Sequence, residues 1–176
     1  LTNDQLLHLQ KEKTVLNEAV NLLSAFALPR EALDALENAA RQLDELFLLV
    51  VVGEFNSGKS ALINALLGER ILREGVTPTT ARVTLVRWGE KPGEQIVDDG
   101  FAIFTYPLDL LKEINIVDSP GTNAIIRQHE ILTNEYVPRS DLVLFTTSAD
   151  RPLTESERLF LEKILSWGKK IVLVVN

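Results

Sequence analysis

The stretch LFLLVVVGEFNSGKSALINALLG, residues 46–68, determines the fold of this chain. Its first seven residues, 46–52, are all apolar and predict a buried strand. The next eight, 53–60, follow the spacing G-x-x-x-x-G-K-S, and after them Leu62, Ile63, Leu66 and Leu67 recur at helical spacing. The stretch therefore predicts a strand, a phosphate-binding loop and a helix in succession, which is a core unit of an α/β fold.

The residue types in the loop are those that phosphate binding requires. Gly53 and Gly58 permit backbone conformations that other residues avoid, so consecutive N–H groups can point inward at phosphate oxygens. Lys59 adds a positive charge for the β- and γ-phosphates, the Ser60 hydroxyl can ligate Mg²⁺, and the helix N-terminus adds its dipole. The predicted nucleotide-binding residues of the loop are Gly53, Glu54, Phe55, Asn56, Ser57, Gly58, Lys59, Ser60 and Ala61.

Two further segments carry the chemistry expected beside such a loop. The short apolar strand 114–117 delivers Asp118-Ser119-Pro120-Gly121, so the Asp118 carboxylate can hold a water of the Mg²⁺ shell and the Gly121 N–H can bond the γ-phosphate. The polar loop 68–81 has threonines at 77, 79 and 80, where P-loop GTPases keep a switch threonine that completes Mg²⁺ coordination. Together these segments predict an enzyme that hydrolyses a nucleoside triphosphate.

Composition limits the classes of partner. The 176 residues are 45% hydrophobic and 24% charged, which suits one substantial core with an appendage. A net charge of −7 and a pI near 4.9 argue against a nucleic-acid-binding surface or a polybasic membrane patch. No apolar run reaches the ~18–20 residues that span a bilayer, and no signal-peptide pattern is present. Cysteine is absent, so thiolate metal sites are excluded. Methionine is absent as well, so we expect a piece of a longer or processed protein.

Residues 1–45 predict a helical hairpin ahead of the core. A first helix over about 3–26 carries one apolar stripe, and a second helix starts near Pro29 with a stripe of its own. The hairpin is either a two-helix cap on the sheet or, as we prefer, part of a helical neck. Neither helix has the basic polar face of a membrane-surface helix. The stripes are Leu6, Leu9, Leu16, Val20 and Leu23, then Leu33, Leu36, Ala40, Leu43 and Phe47.

The rest of the chain completes a sheet. Strands are predicted at 82–88, 142–147 and 170–175, and a hairpin turn at Asp98-Asp99-Gly100. A helix lies within 122–140, and another over 154–167 has Thr154 as its N-cap and Glu157 closing a capping box. We therefore expect residues 46–176 to form a P-loop domain whose mostly parallel sheet has helices on both faces and nucleotide at the strands' carboxyl ends.

These motifs in combination resemble the translation-factor-related GTPases, and within them the dynamin superfamily. The nearest members are the bacterial dynamin-like and the mitofusin or fuzzy-onions-like proteins. The resemblance is carried by the helices before the core and by three segments: GEFNSGKSALINALLGE at 53–69, GVTPTTA at 75–81 and IVDSPG at 116–121. A strand ending in Asn176 adds to it, because GTPases place their guanine-reading N-K-x-D element there.

The resemblance implies GTP hydrolysis to GDP and phosphate with Mg²⁺, coupled to membrane remodelling or fusion through homodimerisation of GTPase domains. It implies Lys59, Thr77 and Gly121 as catalytic residues, Ser60, Thr77 and Asp118 at the metal, and Asn176 at the base; Thr80 replaces Thr77 if the loop aligns as in Era-like GTPases. Phe55 and Thr122 stand where relatives keep a water-positioning glutamine, so we expect a backbone carbonyl, a partner subunit or the switch threonine to orient the attacking water.

Two other readings of the function remain open. One is an Era-like or tRNA-modification-type GTPase that acts on RNA or the ribosome, and the other is a slow regulatory switch that binds GTP and a protein partner. Under the dynamin-like interpretation we expect no nucleic-acid partner. We expect contact with membrane lipid to be made by regions outside this chain. The expected location is the cytoplasm or an organellar stroma, peripheral to a membrane.

Overall fold

The structure is a computed structural model of the 176-residue chain, and it describes residues 3–24, 46–72, 82–120 and 131–176. The chain divides into two compact units, residues 1–46 and 47–176. In the first unit, helix α1 spans Asn3–Ser24. Its stripe residues Leu16, Val20 and Leu23 are half-buried, as an amphipathic helix requires. The predicted second helix lies outside the described residues except for Phe47, which was assigned to its apolar stripe and instead begins the strand Phe47–Gly53. No described helix is long and apolar enough to cross a membrane.

The second unit is built on one seven-stranded sheet. Its strands are β1 (Phe47–Gly53), β2 (Val83–Trp88), β3 (Gly93–Ile96), β4 (Phe101–Tyr106), β5 (Ile114–Asp118), β6 (Leu142–Thr147) and β7 (Ile171–Val175). The helices among its described residues are α2 (Lys59–Leu67) and α3 (Glu155–Ser166), with a 3₁₀ turn at Asp109–Lys112 and a π-helical turn at Leu132–Tyr136. The strand order is β3-β4-β2-β5-β1-β6-β7.

Strand β1 lies near the middle of the sheet and runs parallel to both of its neighbours. It pairs with β5 from Phe47 opposite Ile114 and with β6 from Leu49 opposite Leu142. The β6–β7 and β2–β4 pairs are also parallel, whereas β2–β5 and β3–β4 are antiparallel. The predicted mostly parallel sheet is confirmed, and so is the hairpin turn, in which the Gly100 N–H donates to Asp98 Oδ1 at 2.6 Å.

Apolar side chains fill both faces of the sheet, because neighbouring residues of each central strand point to opposite sides. One core packs alternate residues of β1 against α3, with Val50, Val52, Phe145, Phe160 and Ile164 buried. The other packs the intervening residues against α2, with Leu49, Val51, Ile63, Leu67 and Ile116 buried. The prediction of helices on both faces is therefore confirmed.

Helix α2 differs from its predicted face at two positions. Leu66 was expected inside and is 47% exposed, whereas Asn64 is buried. The Asn64 carboxamide oxygen accepts from the N–H groups of Ile71 and Leu72, at 3.0 and 2.9 Å, and its nitrogen donates to the Leu72 carbonyl at 2.8 Å. Asn64 therefore faces inward because its side chain hydrogen-bonds the backbone that follows the helix, whereas the apolar pattern had predicted that Leu66 would face inward.

Candidate nucleotide-binding site

Three neighbouring parallel strands end at the same edge of the sheet. Strand β5 ends at Asp118, β1 at Gly53 and β6 at Thr147. Because these strands lie side by side in the order β5-β1-β6, the polar groups that follow them converge at this edge. The loop 53–60 is therefore placed between Asp118 on one side and the start of α3 on the other.

The loop has the backbone that its glycines allow. Gly58 has φ 87° and Asn56 φ 61°, both in the left-handed region. A Cβ on Gly58 would lie 2.2 Å from Asn176 Nδ2, so a larger residue there would displace the Asn176 amide as well as strain the backbone. The Asn176 amide donates to the Ser57 carbonyl at 3.4 Å, and the Ser57 hydroxyl lies 2.8 Å from Thr146 Oγ1. The loop is thus attached to the ends of β6 and β7.

Lys59 lies against the loop, and the residue is only 7% exposed. It donates to the carbonyl of Gly53 at 3.1 Å and to that of Glu54 at 2.6 Å. Burial lowers the pKa of Lys59, and the carboxyl groups of Asp118, Glu157 and Glu54 act in the opposite direction. These acidic neighbours favour the charged form of Lys59 within a loop that can bind anions.

Asp118 and Ser60 form a pair beside the loop. The Ser60 hydroxyl donates to Asp118 Oδ2 at 2.7 Å. The other carboxylate oxygen, Oδ1, is buried and has no hydrogen-bond partner among the residues that the structure describes. Burial raises the pKa of Asp118 to about 6, although the Ser60 hydroxyl, Lys59 and the Ser119 N–H oppose the rise. An orphaned carboxylate oxygen next to a hydroxyl is a donor set that suits a hard divalent cation such as Mg²⁺.

A second buried carboxyl group, that of Glu157, joins the loop to helix α3. Its Oε2 accepts from the Thr147 hydroxyl at 3.0 Å and from the Thr154 N–H at 3.1 Å, and its Oε1 from the Glu54 N–H at 3.4 Å. The Thr154 hydroxyl donates to Glu54 Oε1. The predicted capping box of Thr154 and Glu157 is confirmed, and the structure adds its contact with the phosphate loop.

The predicted site residues divide into three groups by their position. Lys59, Ser57 and Asp118 are buried at the strand edge, and Ser60 is half-buried beside Asp118. Phe55, Ala61 and Asn176 are exposed on the loop, on α2 and after β7. Thr77 and Gly121 lie outside the described residues. Thr146 and Thr147 were not singled out from the sequence, because their role depends on β6 lying beside β1.

The model of the dynamin family matches residues 49–106 and 94–176, most of the chain. The chain belongs to the dynamin family. One relative aligns with the whole of this dynamin-family chain. It is "Probable transmembrane GTPase FZO-like, chloroplastic" of Arabidopsis thaliana, which is 46% identical over 181 aligned residues. The tRNA modification GTPase MnmE of Geobacter sulfurreducens is 31% identical over 137 residues and covers 77% of the chain.

The fold of the dynamin-family chain has a counterpart among solved structures. One from an oligomerised bacterial dynamin pair covers 92% of this chain and 31% of its own with a TM-score of 0.58, at 23% sequence identity. This likeness shows the fold of a dynamin GTPase domain. The chain spans 20% of the chloroplast relative and 26% of the MnmE protein, so most of each relative lies outside the match.

Proposed function

We propose that this chain is the GTPase domain of a dynamin-like protein that hydrolyses GTP to GDP and phosphate. The observation that carries the proposal is the Ser60–Asp118 pair beside the phosphate loop. A hydroxyl and a carboxylate 2.7 Å apart, with one carboxylate oxygen orphaned, suit the Mg²⁺ that accompanies a nucleoside triphosphate. Membership of the dynamin family supports the same activity.

In this proposal the chain acts mainly by positioning and electrostatics. The loop Gly53 to Ala61 would bind phosphate oxygens through its backbone N–H groups, although the Glu54 N–H already donates to Glu157 and the Ser57 N–H to the Glu54 carbonyl. Lys59 would exchange the Gly53 and Glu54 carbonyls for the β- and γ-phosphates. Ser60 and Asp118 would hold Mg²⁺, Asp118 through a metal-bound water. When bound, Mg²⁺ offsets the negative charge that develops on the transferred phosphoryl group. Because the Ser60–Asp118 pair is already assembled without nucleotide, these two residues need little reorganisation to hold the metal.

Thr77 and Gly121 complete the proposed catalytic set. Thr77 would join the metal site only when a γ-phosphate is present, and the Gly121 N–H would bond that phosphate. We expect Thr77→Ala to reduce GTP hydrolysis and to leave GDP affinity nearly intact, with Thr80→Ala as the matched control. If Thr80→Ala removes turnover and Thr77→Ala does not, Thr80 is the switch threonine instead.

Asn176 would contribute to recognition of the guanine base while it also braces the loop. Its amide contacts the Ser57 carbonyl and its main chain bonds Ala149 and Thr147 at the end of β6. An Asn alone leaves most of the guanine edge unread, so we expect this 176-residue chain to discriminate poorly between GTP and ATP. Strong guanine selectivity of the isolated chain in competition binding would contradict this.

In the whole protein, we propose that hydrolysis is coupled to remodelling or fusion of a membrane by docking of two GTPase domains. The relative named as a transmembrane FZO-like GTPase of the chloroplast and the oligomerised bacterial dynamin support this coupling. Lipid would be contacted outside residues 1–176, since a net charge of −7 gives the chain no attraction for an anionic surface. The proposed location is an organellar stroma or the cytoplasm, at a membrane.

The proposed hydrolysis is tested by multiple-turnover phosphate release from GTP in Mg²⁺, with Lys59→Ala as the control. We expect Lys59→Ala to weaken fluorescent-nucleotide binding at least about 100-fold, because it removes a charge-assisted phosphate contact from a desolvated site. Wild-type affinity in Lys59→Ala would overturn the loop assignment. Binding without multiple turnover would favour the regulatory switch.

The match to a tRNA modification GTPase keeps an RNA-acting function as the second candidate. The two candidates differ in what raises the activity of the full-length protein. For the dynamin-like function, specific activity rises with protein concentration and again on liposomes, because docked domains order the loops around the nucleotide. Activity that is flat over a hundredfold concentration range, unaffected by liposomes and raised by tRNA would favour the RNA-acting function.

A further inference from the structure

Two buried polar side-chain atoms have no hydrogen-bond partner among the residues that the structure describes: Asp118 Oδ1 and Arg82 Nε. Buried polar atoms are almost always satisfied in native proteins, so each exception calls for an explanation. Asp118 Oδ1 is accounted for by the proposed metal site. Arg82 has no role in the site described above, and within the described part of the chain it forms no ion pair with a carboxylate.

The two orphaned atoms belong to neighbouring strands at the same end of the sheet. Strand β2 pairs with β5 antiparallel, and Thr84 lies directly opposite Asp118. Arg82 lies in the bend immediately before Val83, the first residue of β2, and is two residues from Thr84. Continuing the alternation of the strand by one residue assigns Arg82 to the face of Thr84. Thr84 and Asp118 occupy one face because directly opposite residues of a pair point the same way.

That face is the one covered by helix α2. Val86 and Ile116, which are another opposite pair, both pack with Ile63 and Leu67 of α2. The Asp118 carboxylate on this face receives the hydroxyl of Ser60, the second residue of α2. Arg82 is therefore placed on the metal side of the sheet, on the strand beyond Asp118 as seen from the phosphate loop, with neighbouring strands about 4.8 Å apart.

The two orphans require ligands of opposite sign. A carboxylate oxygen needs a cation or a donor, whereas a guanidinium N–H needs an acceptor and prefers an anionic one. A magnesium-bound triphosphate supplies both kinds of atom at once. Its terminal phosphate is the part expected nearest Asp118, since the loop after β1 cradles the phosphates closer to the nucleoside.

We propose that Arg82 is a phosphate-binding residue supplied in cis, whose guanidinium donates to the terminal phosphate of the bound nucleoside triphosphate. This inference rests on the proposed function and adds a residue to it. Arg82 would stabilise negative charge on the phosphoryl group from the side opposite the phosphate loop and Lys59. Positive charge so placed contributes about 10³–10⁵ in rate in other phosphoryl-transfer enzymes.

The test compares Arg82→Ala and Arg82→Lys with Arg87→Ala, an exposed arginine near the far end of the same strand. Affinities for GDP and for a non-hydrolysable GTP analogue are measured with fluorescent nucleotides in Mg²⁺, and phosphate release is followed separately. For Arg82→Ala we expect analogue affinity to fall at least tenfold, GDP affinity to stay within threefold, and turnover to fall at least 100-fold. Arg82→Lys should recover part of the analogue affinity, and Arg87→Ala should match the wild type.

Thermal stability separates a phosphate-binding role from a structural one. Since Arg82 Nε has no hydrogen-bond partner among the described residues, Arg82→Ala should not lower Tm without nucleotide, and the rise in Tm on adding Mg²⁺ and the analogue should shrink. A lower Tm without nucleotide, or equal losses for GDP and the analogue, would overturn the inference. So would wild-type behaviour in every assay. A wild-type chain that binds neither nucleotide would overturn the proposed function itself.

Discussion

Asp118 and Glu157 are both buried carboxyl groups that act on Lys59, yet their surroundings differ. Glu157 is 1% exposed, and both of its oxygens accept hydrogen bonds, from Thr147, Thr154 and Glu54. Asp118 is 9% exposed; one of its oxygens accepts from Ser60, and the other has no partner in the described part of the chain. Glu157 therefore joins elements of the fold, whereas the free oxygen of Asp118 is consistent with the proposed metal-binding role.

The physical basis is the cost of desolvation. Burying a carboxylate is tolerated when hydrogen bonds replace its water, as they do around Glu157. Where one oxygen is left without a partner, the ionised form is disfavoured, and burial accordingly raises the pKa of Asp118 to about 6. The unfavourable desolvation free energy of the ionised carboxylate would be offset when a cation binds to it. A buried carboxylate of this kind is expected at functional sites.

The largest effect is expected from Asp118→Asn. The amide cannot supply the negative charge that the proposed Mg²⁺ site requires, so GTP hydrolysis should fall at least about 100-fold. Phosphate release in Mg²⁺ measures the loss, and urea unfolding should show no accompanying loss of stability at pH 7. Hydrolysis within threefold of wild type would remove the distinction between the two carboxyl groups.

The pH dependence of stability sharpens the same comparison. The pKa of Asp118 in the folded chain, about 6, lies above its ordinary value of 3.8. Between these values the folded chain holds a proton that the unfolded chain has lost, so this group makes the free energy of unfolding fall as pH rises from about 4 to 6. The full penalty, on the order of 2–3 kcal/mol, is present at pH 7.

Asp118→Asn removes this contribution, which gives the measurement. The difference in unfolding free energy, mutant minus wild type, should increase in favour of the mutant between pH 4 and pH 7. Urea titrations at several pH values in the absence of nucleotide and Mg²⁺ provide it. A difference that does not change with pH would show that Asp118 titrates normally and that its second oxygen is solvated.

Glu157→Gln should produce the opposite pattern to Asp118→Asn. Its amide nitrogen cannot accept hydrogen bonds, so at least one buried donor among Thr147, Thr154 and Glu54 loses its partner, which costs about 2 kcal/mol. Urea unfolding measures the loss, with exposed Glu162→Gln as a control expected within about 0.5 kcal/mol. GTP hydrolysis by the folded fraction should stay within a few-fold, and a large loss of turnover at full folding would assign Glu157 a catalytic part.

The smallest effect is expected from Thr147→Val. This nearly isosteric change removes the hydroxyl that donates to Glu157 and accepts from the Leu153 N–H, and we expect a loss of about 1 kcal/mol. The double mutant with Glu157→Gln should be less destabilised than the two single losses added together, because both changes break the same bond. If the two losses of unfolding free energy simply add, the stabilisation from Glu157 does not come from its hydrogen bond with Thr147.

The sequence predicted those parts of the molecule whose causes are local. The run 46–52 is too apolar to be exposed, the spacing from Gly53 to Ser60 fits one kind of loop, and the Thr154–Glu157 box is complete within four residues. The Asp118 carboxylate was placed at the strand edge for the same reason, because the strand before it is short and apolar. Each of these predictions used neighbours in the chain.

What the sequence could not predict depends on residues that are distant in the chain. The inward position of Asn64 depends on the backbone of Ile71 and Leu72, and a helical pattern alone favoured Leu66. The parallel pairing of β2 with β4 follows from how the hairpin β3–β4 returns to the sheet. The orphaned Nε of Arg82 becomes visible only when the buried atoms are compared with their partners.

The central position of β1 has a consequence for the order of events in folding. Phe47 pairs with Ile114 and Leu49 with Leu142, so the middle of the sheet closes only when distant segments meet. Closing long loops is slow, and sheets built from distant pairs fold in about milliseconds to seconds. The phosphate loop is fastened to β6 through Ser57 and to β5 through Ser60. In a refolding experiment, recovery of nucleotide binding should therefore coincide with the slowest folding phase, in which the sheet forms, well after the helices have formed.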